Sequence, residues 1–185
     1  MRCHKTCGGV PIPTRRSVVA ALAGAAVLPL SSPLLAQAPA ASRADDERFM
    51  RMAIDEARQA DFPFGAVIVR EGRVIARGRN LGRTNDDPTA HGEMTAIRRA
   101  LAEHGSAALK GSTLYTSGEP CAMCMGAILW CHFGRLVYAA SIQQLATKLD
   151  QIMISSADIA AQARFVSIEI TGGVLADEAM QLFAR

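Results

Sequence analysis

Two short segments constrain this chain more than any other feature: His91-Gly92-Glu93 and Pro120-Cys121-Ala122-Met123-Cys124. If they act together, the fold must bring three metal-binding side chains to one point. The cysteines are already placed locally. At the start of a helix, residues three apart share one face, with a rise of about 4.5 Å. Two thiolates, each about 2.3 Å from zinc, fit that spacing. A helix N-terminus favours the thiolate form, and Pro120 suits such a start. His91, at a second helix start, would add a nitrogen ligand. Three protein ligands leave the fourth zinc position open, which distinguishes a catalytic from a structural ion. Water held there ionises near neutral pH. Spacing alone does not bring Glu93 to that position, because residues two apart on a helix face different ways.

Other uses of these residues fit less well. A structural zinc needs a fourth ligand, and Cys131 lies roughly 10 Å further along a continuous helix. His104 and His132 would serve only if the chain folded back. A redox C-x-x-C would stand alone after a strand, without His-x-Glu upstream.

Along the chain, helical spacing begins at Asp45 with Phe49, Met52, Ala53, Ala57 and Ala60, and Pro63 is expected to stop it. Gly65 to Val69 is a continuous apolar run, as in a strand buried on both faces. Glu71-Gly72 signals a tight turn, and Val74-Ile75-Ala76 returns as the second strand of a hairpin. Asn80 to Thr89 reads as a loop. Helices are expected from about His91 and over Cys121–Cys131, and strands over Ser112–Ser117 and Arg135–Ala140. Residues 142–163 look helical in pieces, Phe165–Ile170 like a strand and Leu175–Phe183 like a closing helix. A hairpin followed by alternating helix and strand implies α/β architecture: a three-layer α/β/α sandwich around a mixed sheet of about five strands.

The first residues read differently. Thr14-Arg15-Arg16-Ser17 precedes an apolar run, Val18–Leu30, and Ala36-Gln37-Ala38 is a small-x-small cleavage site. The run is too short to span a bilayer. Residues 1–38 therefore resemble a twin-arginine export signal, implying a periplasmic protein with no stable membrane anchor after cleavage. An uncleaved anchor and a standard secretion signal are the competing readings. Residues 39–44 would be a linker and 45–185 the functional domain. The net charge is +3, but residues 1–38 hold four basic residues and no acid, which leaves the remainder near −1. A nearly neutral body argues against nucleic-acid binding. Three of the five cysteines remain after residue 38, an odd count that argues against a disulfide framework. Cys131 reads as a small buried residue, and Met94, Met123 and Met125 as core filler. Arg77, Arg79, Arg98 and Arg99 read as solvated.

Beyond the short motifs, Asp87-Pro88-Thr89-Ala90-His91-Gly92-Glu93 and Glu119-Pro120-Cys121-Ala122-Met123-Cys124-Met125-Gly126-Ala127-Ile128 resemble the two long signatures of the cytidine-deaminase-like superfamily. Phe62-Pro63-Phe64-Gly65-Ala66-Val67-Ile68-Val69 resembles its first strand. The resemblance covers roughly residues 45–155, and H-x-E with P-C-x-x-C is the recognised pattern of zinc nucleobase deaminases. It implies a Zn2+ cofactor held by His91, Cys121 and Cys124. It also implies hydrolytic deamination, with Glu93 taking a proton from water at the metal and delivering protons to the ring nitrogen and the leaving ammonia. Asn80 resembles the family's substrate-binding asparagine, although it could instead cap the turn after its strand. Phe64 and the backbone of Ala66 fall where family members contact the base.

Within the superfamily, Leu129-Trp130-Cys131-His132 and Val137-Tyr138-Ala139-Ala140 are most similar to bacterial guanine deaminases. Trp130 is then a candidate pocket residue, though core packing fits a tryptophan equally. Asp150, in Leu149-Asp150-Gln151, loosely matches the acidic pair that reads the purine. His132 stands where those enzymes commonly carry arginine, and their terminal tyrosine has no counterpart. The resemblance implies guanine as preferred substrate, with cytosine or another small heterocycle or nucleoside as the alternative. A silent zinc- or base-binding module is the alternative from outside enzymology. It also implies a homodimer.

Overall fold

The structure, a computed structural model, describes residues 42–184. The proposed signal and residues 39–41 of the linker lie outside the described residues. Helix α1, Arg43–Arg58, begins earlier than the sequence pattern implied. Ser42 caps it by accepting a hydrogen bond from the Asp45 N–H at 3.2 Å. The linker's last two residues are therefore helical. The helix ends before Pro63, with Gln59 at its C-cap, so proline does not terminate it.

Strands β1 (Gly65–Arg70) and β2 (Arg73–Arg79) form the expected hairpin. Glu71 and Gly72 both have positive φ, 51° and 74°. Two such residues twist a two-residue turn to match the flanking strands. Helix α2 spans Gly92–His104, β3 Thr113–Gly118, α3 Ala122–Trp130 and β4 Arg135–Ala140. The segment 142–163 is broken into α4 (Ile142–Leu145) and α5 (Ser156–Gln162). Strand β5 is only Glu169–Thr171, shorter and later than expected, and α6 is Ala176–Met180, followed by a short turn to Phe183.

The sheet order is β2-β1-β3-β4-β5. Strand β1 runs antiparallel to β2 and β3, whereas β3, β4 and β5 are parallel. The mixed five-stranded α/β fold expected from the sequence is thus present. Its two faces carry separate cores. Ala66 and Ile68 join Ala96, Ile97, Ala100, Met125, Ile128 and Phe133 from the α2 and α3 side. Val67 and Val69 join Phe49, Met50, Ala53 and Ile54 from α1 on the other. Alternate residues of one apolar run serve opposite layers, as expected for a strand covered on both sides.

A buried ion pair ties α1 to β4. The Arg135 guanidinium donates to both oxygens of Asp46 at 2.7 and 2.8 Å. The Tyr115 hydroxyl donates to the same carboxylate at 2.8 Å. Arg79 is not simply solvated either: it pairs with Glu56 at 3.1 Å.

Candidate metal centre

His91 and Cys121 are the N-cap residues of α2 and α3, and Cys124 lies in the first turn of α3. The two helices start at the same end of the sheet, after β2 and β3. Close approach at α2 depends on glycine. A β-carbon on Gly92 would lie 3.0 Å from the Phe64 carbonyl oxygen and 3.1 Å from Gly65 Cα. A β-carbon on Gly78 would overlap the backbone of α2 at Ala96. Neither His91 nor Cys121 caps its helix with its side chain, so both side chains are available as ligands.

The three ligand atoms form a tight triangle. His91 Nδ1 lies 3.6 Å from Cys121 Sγ and 3.5 Å from Cys124 Sγ. All three atoms lie within 4.8 Å of one another. A tetrahedral zinc with Zn–N of about 2.05 Å and Zn–S of about 2.3 Å requires an N···S separation of about 3.6 Å. Both N···S edges of the triangle match that separation. Among the described residues it is the one such cluster of three or more His, Cys, Asp or Glu side chains. Cys131 sits beyond it, half-buried against the α2–α3 core.

The electrostatics suit a cation. A hydrogen bond from Cys124, aided by the His91 side chain, lowers the Cys121 thiol to about 4. Cys124 is pushed up, first by its neighbour Cys121 and then by burial. One thiolate is thus preformed, and the second needs a positive charge beside it. Hydrogen bonding to Cys121 raises His91, against the effect of burial. Glu93, 4% exposed, reaches the same place. Burial is the largest cause raising its carboxyl above the ordinary value. The Thr116 hydroxyl of β3 donates to its Oε1 at 3.3 Å.

A cavity of about 210 Å³ opens onto this cluster, bounded by His91, Glu93 and Cys121. Phe62, Phe64 and Leu149 supply apolar lining, and Asn80, Glu119, Asp150 and Gln151 polar lining. Pockets for drug-sized ligands measure roughly 300–1,000 Å³, so this smaller space suits a single small heterocycle. Asn80 closes the turn after β2 and also borders the cavity. Its Oδ1 accepts the Gly82 N–H at 3.0 Å, while the residue lines the cavity.

Most of the expected residues converge here: His91, Cys121, Cys124, Glu93, Asn80, Phe64 and Asp150. Two do not. Trp130 neither lines the cavity nor packs in the core. It closes α3, is 72% exposed and stacks on Phe165 with ring centroids 4.7 Å apart. Ala66 is fully buried within the sheet, opposite Gly78 and Thr116, and does not line the cavity. Met123, expected in the core, is 37% exposed, whereas Met125 is buried. Arg98 is exposed but fastens the loop before His91, pairing with Asp87 at 3.1 Å.

Glu119 was visible in the sequence only as part of a motif. It is 5% exposed. Its Oε2 accepts the Ile142 N–H at 2.9 Å and its Oε1 the Ser156 N–H at 2.8 Å. These are the first residues of α4 and α5. One side chain thereby fastens both ends of the segment carrying Leu149, Asp150 and Gln151.

With the triangle and cavity in place, known proteins can be set beside them. Residues 43–140 match the cytidine and deoxycytidylate deaminase zinc-binding region, over half of the chain. The chain belongs to this family. A guanine deaminase of Bacillus subtilis is 54% identical over 78 residues, covering 42% of this chain and 50% of that protein. The chain thus spans about half the length of that relative. A tRNA-specific adenosine deaminase of Haemophilus influenzae is 36% identical over 148 residues, covering 74% of this chain and 79% of the other. A mutant of NE0047 solved in complex with 8-azaguanine shares the fold with a TM-score of 0.66 at 25% identity, over 75% of this chain and 82% of that one. The zinc cofactor expected from the sequence accords with the family and with the ligand triangle.

Proposed function

We propose that this protein is a zinc-dependent hydrolytic deaminase of a free aminated nucleobase, with guanine the preferred substrate. The observation that carries the reading is the His91–Cys121–Cys124 triangle with buried Glu93 at the base of a small cavity. Zinc bound there would offer its fourth position to water and ease that water's ionisation. Glu93 holds and moves the proton. Burial favours its acid form, so a proton taken from water is retained long enough to reach the ring nitrogen and then the amino group that leaves as ammonia. Thr116 orients the carboxylate. Phe62 and Phe64 hold the ring and exclude water, while Asn80 and Asp150 supply polar contacts.

Guanine is favoured by the B. subtilis relative and by the 8-azaguanine complex of NE0047. The tRNA-specific relative favours the second reading, an adenosine in RNA. The near-neutral charge beyond residue 38 weighs against that. Ammonia release by the zinc-loaded protein, measured in parallel on guanine, cytosine, adenine, adenosine, cytidine and a tRNA anticodon stem-loop, tests the proposal. Release from guanine alone is expected. Release from the RNA alone would replace the substrate, and release from none with zinc bound would leave a silent base-binding module.

The export reading rests on Arg15-Arg16, the apolar run and Ala36-Gln37-Ala38. It predicts a periplasmic protein whose N-terminus begins near residue 39; an intact chain in the cytoplasm would refute it. The exposed Trp130, Phe165, Ile152, Met153 and Ile154 support a homodimer. Sedimentation showing only monomer at micromolar concentration would refute that.

A further inference from the structure

One wall of the cavity depends on a glycine that does not itself line it. Gly118 is the last residue of β3, immediately before Glu119-Pro120-Cys121. Its backbone is held in the sheet. It pairs with Ala140 of β4, and the next residue's N–H donates to the Ala140 carbonyl at 2.7 Å. A β-carbon at Gly118 would lie 2.7 Å from Phe64 Cε1 and 3.1 Å from Phe64 Cδ1, with Leu145 Cδ1 at 3.0 Å. Carbon atoms in favourable contact stand about 3.5–4.0 Å apart. The edge of the Phe64 ring therefore occupies space that any side chain at 118 would fill, and Phe64 lines the cavity.

A ring displaced from Gly118 has few places to go. Its backbone is pinned: the Phe64 carbonyl accepts the Asn80 N–H at 2.9 Å and abuts Gly92, where a β-carbon would come within 3.0 Å of it. Phe62 stacks on the ring with centroids 5.8 Å apart, and Phe183 packs against it at 5.4 Å. Leu145, the other neighbour of Gly118, is fully buried. What remains open to the ring is the cavity. Overfilling a packed site forces side chains off their preferred rotamers, and the displacement goes where packing is loosest. We infer that Gly118 is a positioning residue: lacking a side chain, it lets the Phe64 ring stand back, and so sets a cavity width that admits a bicyclic base. A residue with a β-carbon there would tilt the ring inward by roughly 1 Å and favour a monocyclic base. The inference deepens the deaminase reading and rests on it for the class of ligand.

The test is a double-mutant cycle between positions 118 and 64. Guanine and cytosine binding to the zinc-loaded full chain is measured by equilibrium dialysis, with Glu93→Gln in every sample so that the bases persist. Gly118→Ala should weaken guanine roughly tenfold or more, the usual effect of one methylene too many in an apolar pocket, and cytosine by less than about threefold. Phe64→Val leaves no atom beyond the γ-carbons to meet the new β-carbon. In that background Gly118→Ala should change guanine affinity by less than about threefold, a coupling that general loosening of the metal loop would not produce. Zinc content and melting temperature on the same samples identify a variant that has failed to fold. Should Gly118→Ala fail, Gly118→Ala with Leu145→Val relieves the second clash alone and should still weaken guanine. Equal weakening in both backgrounds overturns the inference. So does a folded Gly118→Ala protein with native guanine affinity, or a protein with Gly118 intact that binds no guanine. Ammonia release from matching samples with Glu93 restored separates the two readings. Coupling between the two positions without ammonia from either base would remove the deaminase reading alone. Ammonia from guanine without that coupling would remove this inference alone.

Discussion

Replacing Glu119 with glutamine should loosen the cavity wall while leaving the metal ligands in place. The carboxylate is 5% exposed and accepts one backbone N–H on each oxygen, from Ile142 at 2.9 Å and Ser156 at 2.8 Å. Glutamine has the same shape but a single acceptor oxygen. Its NH2 group would face one of the two N–H donors, so one helix start loses its acceptor and meets a second donor. A hydrogen bond to a charged group contributes about 1.5–3 kcal/mol, and a buried donor left unpaired costs about 1–3 kcal/mol. Allowing for overlap between these terms and local relaxation, we expect a destabilisation of about 3 kcal/mol. In a chain of this size that lowers the melting temperature by roughly 6–12 °C. Thermal unfolding of the zinc-loaded protein measures it. Hydrogen exchange should locate it, with protection lost at Ile142 or Ser156 and across residues 147–155. KM should rise more than kcat falls, because the segment holds Asp150 and Gln151 rather than Glu93 or the ligands. A loss below about 1 kcal/mol, with unchanged exchange at both amides, would refute the reasoning.

Three further outcomes follow from the same geometry. Glu93→Gln should keep one zinc per chain yet lower turnover about 10²- to 10⁴-fold, the usual contribution of a proton carrier; full ammonia release from that variant would sink the role given to Glu93. In metal-free protein, Cys121 is held as thiolate down to about 4 and Cys124 is held protonated. Iodoacetamide at pH 6 should therefore label Cys121 and spare Cys124, with labelling lost as pH falls through about 4, where Cys121 takes up its proton; peptide mapping that finds the reverse order contradicts the electrostatics. Arg135→Leu strands the Asp46 carboxylate in a buried site. Loss of one partner of such a pair costs about 3–5 kcal/mol, so urea unfolding within about 1 kcal/mol of the native value would show the pair to be unimportant.

Much of the site was legible because its parts are local. Cys121 and Cys124 share a helix start, and His91-Gly92-Glu93 opens another, so each half is a property of a few consecutive residues. The hairpin was readable from Glu71-Gly72 and the inner strand β1 from five apolar residues in a row. The later elements were less so. Strand β5 has three residues, and α4 and α6 have four and five, too short for periodicity to mark their limits. Trp130 shows why residue type misleads: a large aromatic suits a core or a pocket, yet its place in the last turn of α3 leaves it 72% exposed beside Phe165.

By itself, then, the sequence determined the ligand types, the helix starts that carry them and the layers each strand must face, because backbone periodicity and end effects act over a turn or two. Tertiary structure alone decided that Glu119 would hold the starts of α4 and α5 and that Arg135 would meet Asp46. Those contacts join residues far apart in the chain. A side chain there gains its partner only when two whole elements are packed, and no local pattern reports where a distant element will lie.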